Sequence, residues 1–310
     1  VDTYTLISSL QHHLAFMDGP LRALSSYGYS YHHLLIAAVI YWSGYTRIGG
    51  RLAMGTMISS IAFGSCRQFF ASPRPYWSHP ELFNGMVEKS YGMPSGHTQN
   101  ATLFWGLSAY SLKNKWAWFV AGLLILSVGL SRLYLGVHYP VQVAFGLLLG
   151  LILLFLFITF EQRVIDYLKP LAGWKKIALT ISATLLPLIF ILICREVLHI
   201  GSGSNHPLPY SIFLKFNGLL TGGAVGLLFT IQATPSFHLF FTRAVPGAIS
   251  VIAIWHYLPD LSELQSEPLL YYSVRFSVFA ALALWVTWLW PLLHKRLHKR
   301  LHKRLAQADT

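Results

Sequence analysis

Between Tyr139 and Phe160 the chain carries no Asp, Glu, Lys or Arg, and it is mostly Leu, Phe, Ile, Val and Gly. As a helix, this stretch rises about 33 Å, enough to cross a hydrocarbon core of about 30 Å. In lipid every backbone N–H and C=O must be satisfied within the segment, so such a run must be helical. Eight further apolar runs read the same way: 31–47, 52–70, 97–112, 116–134, 176–194, 211–231, 244–258 and 270–293. Composition agrees: 54% of residues are hydrophobic and only 11% charged, against about 25% charged in soluble domains. The expected fold is all-α, a polytopic transmembrane bundle of about nine spans with an N-terminal interfacial helix.

The chain divides into four segments. Residues 1–30 place Leu6, Leu10, Leu14 and Leu21 among polar residues, the pattern of an amphipathic helix lying in the membrane interface or of a soluble cap. They lack the basic-then-apolar order of a signal peptide. Residues 31–160 hold the motifs that carry chemistry, 161–293 supply further spans, and 294–310 form a basic tail. Cys66 and Cys194 lie in separate apolar runs and read as free core thiols.

The formal net charge is +12, and its distribution gives the topology. Fifteen Lys and Arg fall on one side of the expected bundle, six of them in the "HKRLHKRLHKRL" tail, and six fall on the other. The fifteen-residue side is expected to be cytoplasmic, with the C-terminus there. The surplus charge is therefore a topological asymmetry, and no nucleic acid partner is implied.

Some charges break that pattern. Arg67, Arg74 and Arg132, with His97 and His138, all fall at the opposite face if the spans alternate. One arginine near a membrane edge is explained by snorkelling. Three guanidiniums and two imidazoles together repel one another unless an anion joins them, and Arg presents a fork suited to phosphate. In "PSGH", 94–97, Pro94 and Gly96 permit a tight turn and Ser95 is placed to cap the helix starting near His97. Free N–H groups of that first turn make an anion cradle, and His97 beside it can deliver a proton. In "SRLYLGVHYPVQV", 131–143, Pro140 suits a first helical turn. His138 and Gln142 are four apart and share a face. The Gln142 amide can accept from one ring nitrogen, leaving the other as a nucleophile.

These blocks resemble those of the type-2 phosphatidic acid phosphatase superfamily: Lys-x6-Arg-Pro as "RQFFASPRP" (67–75), Pro-Ser-Gly-His as 94–97, and Ser-Arg-x5-His-x3-Asp as "SRLYLGVHYPVQ" (131–142). The resemblance implies that His138 is the nucleophile that becomes a phosphohistidine and that His97 is the general acid. It implies that Arg67, Arg74 and Arg132, with Ser95 and the Gly96 amide, clamp the phosphate, and that no metal or other cofactor takes part. Two positions depart from the pattern. Arg67 replaces the usual Lys, keeping the charge with a larger head. Gln142 replaces the usual Asp, and a neutral amide stabilises an imidazolium less. On this reading Gln142→Asp keeps or raises turnover.

The expected reaction is hydrolysis of a phosphate or pyrophosphate ester of a lipid: phosphatidic acid, phosphatidylglycerol phosphate or a prenyl pyrophosphate. A sugar phosphatase of the glucose-6-phosphatase kind, a phosphotransferase and a phosphate-binding transporter are the alternatives. The resemblance and topology imply a bacterial inner membrane with the site facing the periplasm. Membrane lipids are the expected surroundings, and the oligomeric state is left open. Residues 76–92 should line or lid the site, with Tyr76, Trp77 and His79 as candidate contacts. In the last four spans Arg195, Glu196, Lys215, Asn217, His256 and Arg275 stand out. Lys215 reads as a snorkelling residue, and the small residues of 218–228 read as a close helix contact.

Overall fold

The computed structural model describes residues 2–88, 90–193, 197–199, 210–230, 233–256 and 268–308. Cys194, Arg195 and Glu196, which stand out in the sequence, lie outside the described residues. The described residues form helices and connecting turns. In chain order these are α1 (Thr3–His13), α2 (Asp18–Tyr27), α3 (Ser30–Trp42), α4 (Thr46–Phe70), the short α5 (Pro75–Ser78), α6 (Gly96–Leu112), α7 (Lys115–Tyr134), α8 (Pro140–Leu168), α9 (Gly173–Leu192), α10 (Tyr210–Leu228), α11 (Phe237–His256) and α12 (Leu270–Arg300). The last two each pass through a π-helical turn. Helix α12 continues into the basic tail as far as Ala308.

Among the described residues, α7, α8, α9, α11 and α12 are long and apolar enough to cross a membrane, and Phe213–Leu228 is a shorter apolar helix. Helices also occupy the other expected spans, with different character. Helix α3 stops at Trp42, and the chain turns at Gly44, whose φ of 100° favours a residue without a Cβ. Helix α6 is nearly all buried, enclosed by α4, α7 and α8. Its amides are used internally: Gln99 donates to the Ser59 carbonyl at 2.9 Å, and Asn100 donates to Ser30 Oγ at 2.7 Å. A helix that faces protein on all sides has no need of a lipid-facing surface, which explains its polar composition.

The N-terminal segment packs as a cap. Ile7 and Leu21 are buried, and α1 and α2 lie against α7. Gln11 donates to the Leu82 carbonyl at 3.0 Å, Arg22 to the Asn84 carbonyl at 3.0 Å, and the Tyr134 hydroxyl to Asp18 at 2.9 Å. Phe16 and Tyr27 remain exposed. At the far end of the bundle, Arg51 pairs with Glu161 at 2.8 Å and donates to Ser111 Oγ at 2.7 Å.

In the C-terminal half, Gly218 and Gly222 face the α12 backbone, where an added Cβ would collide with the segment from Phe276 to Ala280. Thr221 bonds Thr184 of α9 at 2.8 Å. Trp42 and Tyr41 of α3 donate to the Val286 and Thr287 carbonyls of α12 at 2.8 and 2.7 Å, so the two halves are joined through buried hydrogen bonds.

Candidate active site

Helix ends bring the basic residues to one place. Arg67 lies in the last turn of α4, which closes at Ala71 in the left-handed region with φ 44°. Arg74 precedes Pro75, which starts α5 and holds Arg74 extended. Arg132 is in the last turn of α7. His138 comes next, in the loop, and Pro140 opens α8. His97 is in the first turn of α6.

All five side chains are buried, and Arg74, Arg132, His138 and Gln142 are 0% exposed. Arg74 is the hub. It donates to the carbonyls of Ser90, Val137 (2.8 Å) and Tyr91 (3.1 Å), and its Nη1 lies 3.2 Å from His138 Nε2. Arg67 donates to Ser90 Oγ at 2.9 Å and to the Pro94 carbonyl at 3.2 Å, stacked over Phe63 at 4.7 Å. Arg132 donates to Ser25 Oγ of the cap and lies 3.2 Å from Met86 Sδ; its Nε is buried without a partner among the described residues. Burial lowers the Arg74 guanidinium to about 10, so it stays charged at neutral pH.

The hydrogen bonds determine the tautomer of His138. The Gln142 amide nitrogen donates to the Pro73 carbonyl at 2.7 Å and to Ser72 Oγ at 3.0 Å. Its Oε1 accepts from Tyr139 N at 3.1 Å and lies 3.1 Å from His138 Nδ1. That oxygen can only accept, so Nδ1 carries the proton and Nε2 keeps its lone pair. Gly92 makes this possible, because a Cβ there would come 2.7 Å from the Gln142 carboxamide carbon. The arrangement also alters the expectation for Gln142→Asp. A carboxylate cannot donate to the Pro73 carbonyl, and a buried acceptor left unpaired costs about 1–3 kcal/mol. Gln142→Asp is now expected to lower the thermal midpoint in detergent, and turnover with it. A midpoint at or above wild type would contradict this.

Burial, reinforced by Arg74, Arg132 and Arg67, holds His138 well below the ordinary imidazole value. The folded state therefore refuses a proton that the unfolded chain takes up below about pH 6.5. The sign is then fixed: this contribution is complete above about pH 6.5 and is lost as pH falls, at up to about 1.4 kcal/mol per unit. Thermal midpoints measured from about pH 7.5 to 5 should fall less steeply for His138→Gln than for wild type.

His97 Nε2 is buried with no hydrogen-bond partner among the described residues, and His97 lines the buried pocket. Tyr29 packs edge-on against its ring at 4.5 Å, and a Cβ at Gly28 would lie 2.8 Å from its Cδ2. Ser95 holds the cap position of α6 but does not cap with its side chain. Its hydroxyl pairs with Thr98 Oγ1 at 3.0 Å, while its N–H donates to the Gln142 carbonyl at 3.0 Å, tying two motifs together. Gly96 packs beneath Arg67, where a Cβ would lie 3.2 Å from Nη2.

Glu88 is a member of the site that no sequence motif marks. Its carboxylate meets Arg132 at 2.6 Å and Arg74 at 3.9 Å. Burial alone would raise its pKa, but these guanidiniums hold it down at about 2. Tyr76 anchors its backbone, with the hydroxyl donating to the Glu88 carbonyl at 2.8 Å and accepting from its N–H at 2.9 Å. An acidic residue between two basic motifs was the available signal. Trp77 packs edge-on against Tyr91 at 5.9 Å. His79 sits on the surface beside Glu81 at 3.3 Å and does not join the cluster.

Comparison with known proteins bears on this arrangement. The model of the PAP2 superfamily matches residues 44–166, and that of the PAP2 superfamily phosphatase transmembrane extension matches residues 214–304. Phosphatidylglycerophosphatase B of Bacillus subtilis (strain 168) is 37% identical over 94 residues, 27% of this chain and 46% of that protein. Lipid phosphate phosphatase delta of Arabidopsis thaliana is 23% identical over 216 residues, 64% of this chain and 48% of that protein. Undecaprenyl-diphosphatase of Sulfolobus acidocaldarius is 29% identical over 167 residues, 52% of this chain and 78% of that protein. The chain spans about half the length of the first two. With the three basic motifs gathered around one buried pocket, the chain carries a PAP2 superfamily domain at residues 44–166 and a PAP2 superfamily phosphatase transmembrane extension at residues 214–304.

Proposed function

We propose that this protein is an integral membrane phosphatase that hydrolyses a lipid phosphate or prenyl pyrophosphate through a phosphohistidine on His138. The observation that carries the reading is charge balance in the pocket. Three guanidiniums, from Arg67, Arg74 and Arg132, face one carboxylate, Glu88. These four side chains sum to about +2, which complements a phosphate monoester of about −1.5 to −2. The names of the relatives, which include phosphatases of phosphatidylglycerophosphate, lipid phosphate and undecaprenyl diphosphate, support the same chemistry.

The geometry suggests the order of steps. As the phosphoryl group enters, Arg74 Nη1 moves from His138 Nε2 to a phosphoryl oxygen. The freed Nε2 lone pair attacks phosphorus, the P–O ester bond breaks, and a proton on His97 Nε2 passes to the leaving oxygen. Gln142 holds the Nδ1 proton throughout. Water then gives a proton to His97 and attacks phosphorus, the N–P bond breaks, and phosphate leaves with the lone pair restored to Nε2. The arginines act on charge that develops on the equatorial oxygens, where each fixed donor is worth about 2.7–4 kcal/mol by comparison with other oxyanion sites. No protein carboxylate is needed as nucleophile, and the scheme uses no metal. The proposed setting is a bacterial inner membrane with the pocket facing the periplasm and the basic tail in the cytoplasm.

The test is release of inorganic phosphate by the purified protein from a panel of lipid, prenyl and sugar phosphates, with EDTA present. Lipid and prenyl substrates should turn over without added metal. Release only from sugar phosphates would move the substrate assignment, and release from none would overturn the reading.

A further inference from the structure

A cavity of about 420 Å³ leads from this pocket into the C-terminal half of the bundle. At its catalytic end it is lined by Tyr29, Arg67, Glu88 and His97, and farther in by Gly49, Ala53, Leu219 and Ala283. Its direction can be read from the packing of α10 on α4. An added Cβ at Gly64 would lie 3.5 Å from Phe213, one at Gly223 would lie 3.1 Å from the Met57 methyl, and one at Gly50 would lie 3.3 Å from Leu227. Helix α10 therefore runs antiparallel to α4, and the cavity tracks α4 from the level of Arg67 to that of Gly49. At 1.5 Å per residue that is about 27 Å.

The polarity of the lining changes along this length. Lys215 and Arg275 both line the cavity near the Arg67 end. Lys215 does not snorkel: its ammonium sits over the Trp255 ring at 4.5 Å and the Phe279 ring at 5.3 Å. Beyond this level the lining is mainly apolar, with Leu219, Gly223, Leu282, Ala283 and Val286, and the polar Tyr41 and Thr287 stand at its far end. Cations at one end and a long apolar slot at the other complement an anionic amphiphile.

We infer that this slot is the tail-binding subsite for a phosphate ester carrying a long hydrocarbon chain, with the C-terminal helices α10 and α12 forming part of its wall. This rests on the phosphatase reading and deepens it, since it assigns the tail to the C-terminal helices. Helices α10 and α12 thereby acquire a role in measuring the tail.

Tetradecyl phosphate and butyl phosphate are the probes. Wild type should favour the tetradecyl ester in kcat/KM by at least about tenfold, since a single buried methylene is worth about fourfold. Ala283→Phe places a ring in the slot far from His97 and His138, and it should cut that tetradecyl-to-butyl ratio at least about tenfold. A second arm uses unmodified protein: a tetradecyl phosphate bearing a terminal diazirine, photolysed and mapped by mass spectrometry, should label 219–223 or 282–286. Phosphate release with an unchanged ratio in Ala283→Phe and label elsewhere would overturn the slot while leaving the phosphatase reading intact. Absence of release from both esters would overturn the phosphatase reading, and the label would then decide the slot by itself.

Discussion

His138→Ala is expected to reduce phosphate release roughly ten-thousand- to million-fold, the range seen when a nucleophile is removed from a preorganised site. The structure separates this loss from misfolding. Without the imidazole, Gln142 Oε1 still accepts from Tyr139 N, and its amide still holds Ser72 and Pro73. Arg74 still reaches the carbonyls of Ser90, Val137 and Tyr91. The pocket should therefore persist, and with it phosphate binding, while the atom that attacks phosphorus is gone. Wild type quenched during turnover should carry an acid-labile phosphoryl label on the peptide containing His138, and the variant should carry none. Turnover within tenfold of wild type would remove His138 from the mechanism.

The second large effect belongs to Arg132→Ala, and it should appear in two measurements. Glu88 would lose its 2.6 Å partner and keep the more distant Arg74 at 3.9 Å. Breaking a buried pair from one side costs about 3–5 kcal/mol, because the remaining charge stays desolvated. Turnover should also fall about a hundred- to a thousandfold through loss of one clamp donor. Arg132→Ala combined with Glu88→Gln removes the stranded charge. That double variant should regain much of the stability in denaturation experiments but none of the turnover. If both variants melted alike, the ion pair would not be holding the pocket together.

The loop around Glu88 shows where reading the sequence reached its limit. The basic motifs could be recognised because each lies at the end of an apolar run, and charge at a span's end is conspicuous. Glu88 lies in a segment with no periodicity, and its neighbours in space, Arg132 and Arg74, are distant along the chain. Helix α6 shows the opposite case. Its short, partly polar sequence was legible as a helix, but only packing shows that Gln99 and Asn100 point into protein. The N-terminal leucines were compatible with a membrane surface or a cap. Ser25, bonded to Arg132, ties that cap to the site.

Sequence alone determined the features that composition and local spacing control: a helical, lipid-embedded chain and the identity of the basic motifs; the spacing of His138 and Gln142 reads as one helical face, but His138 lies in the loop before Pro140 and meets Gln142 because that amide folds back over the helix start. Those features depend on hydrophobicity and on 3.6 residues per turn, which operate over a few residues. Tertiary structure alone decided the Glu88 counter-ion, the donor commitments that fix the Gln142 amide, and the slot between α4, α10 and α12. Each of these arises where separate helices meet, and the free energy of a buried charge or cavity depends on neighbours that no local pattern specifies.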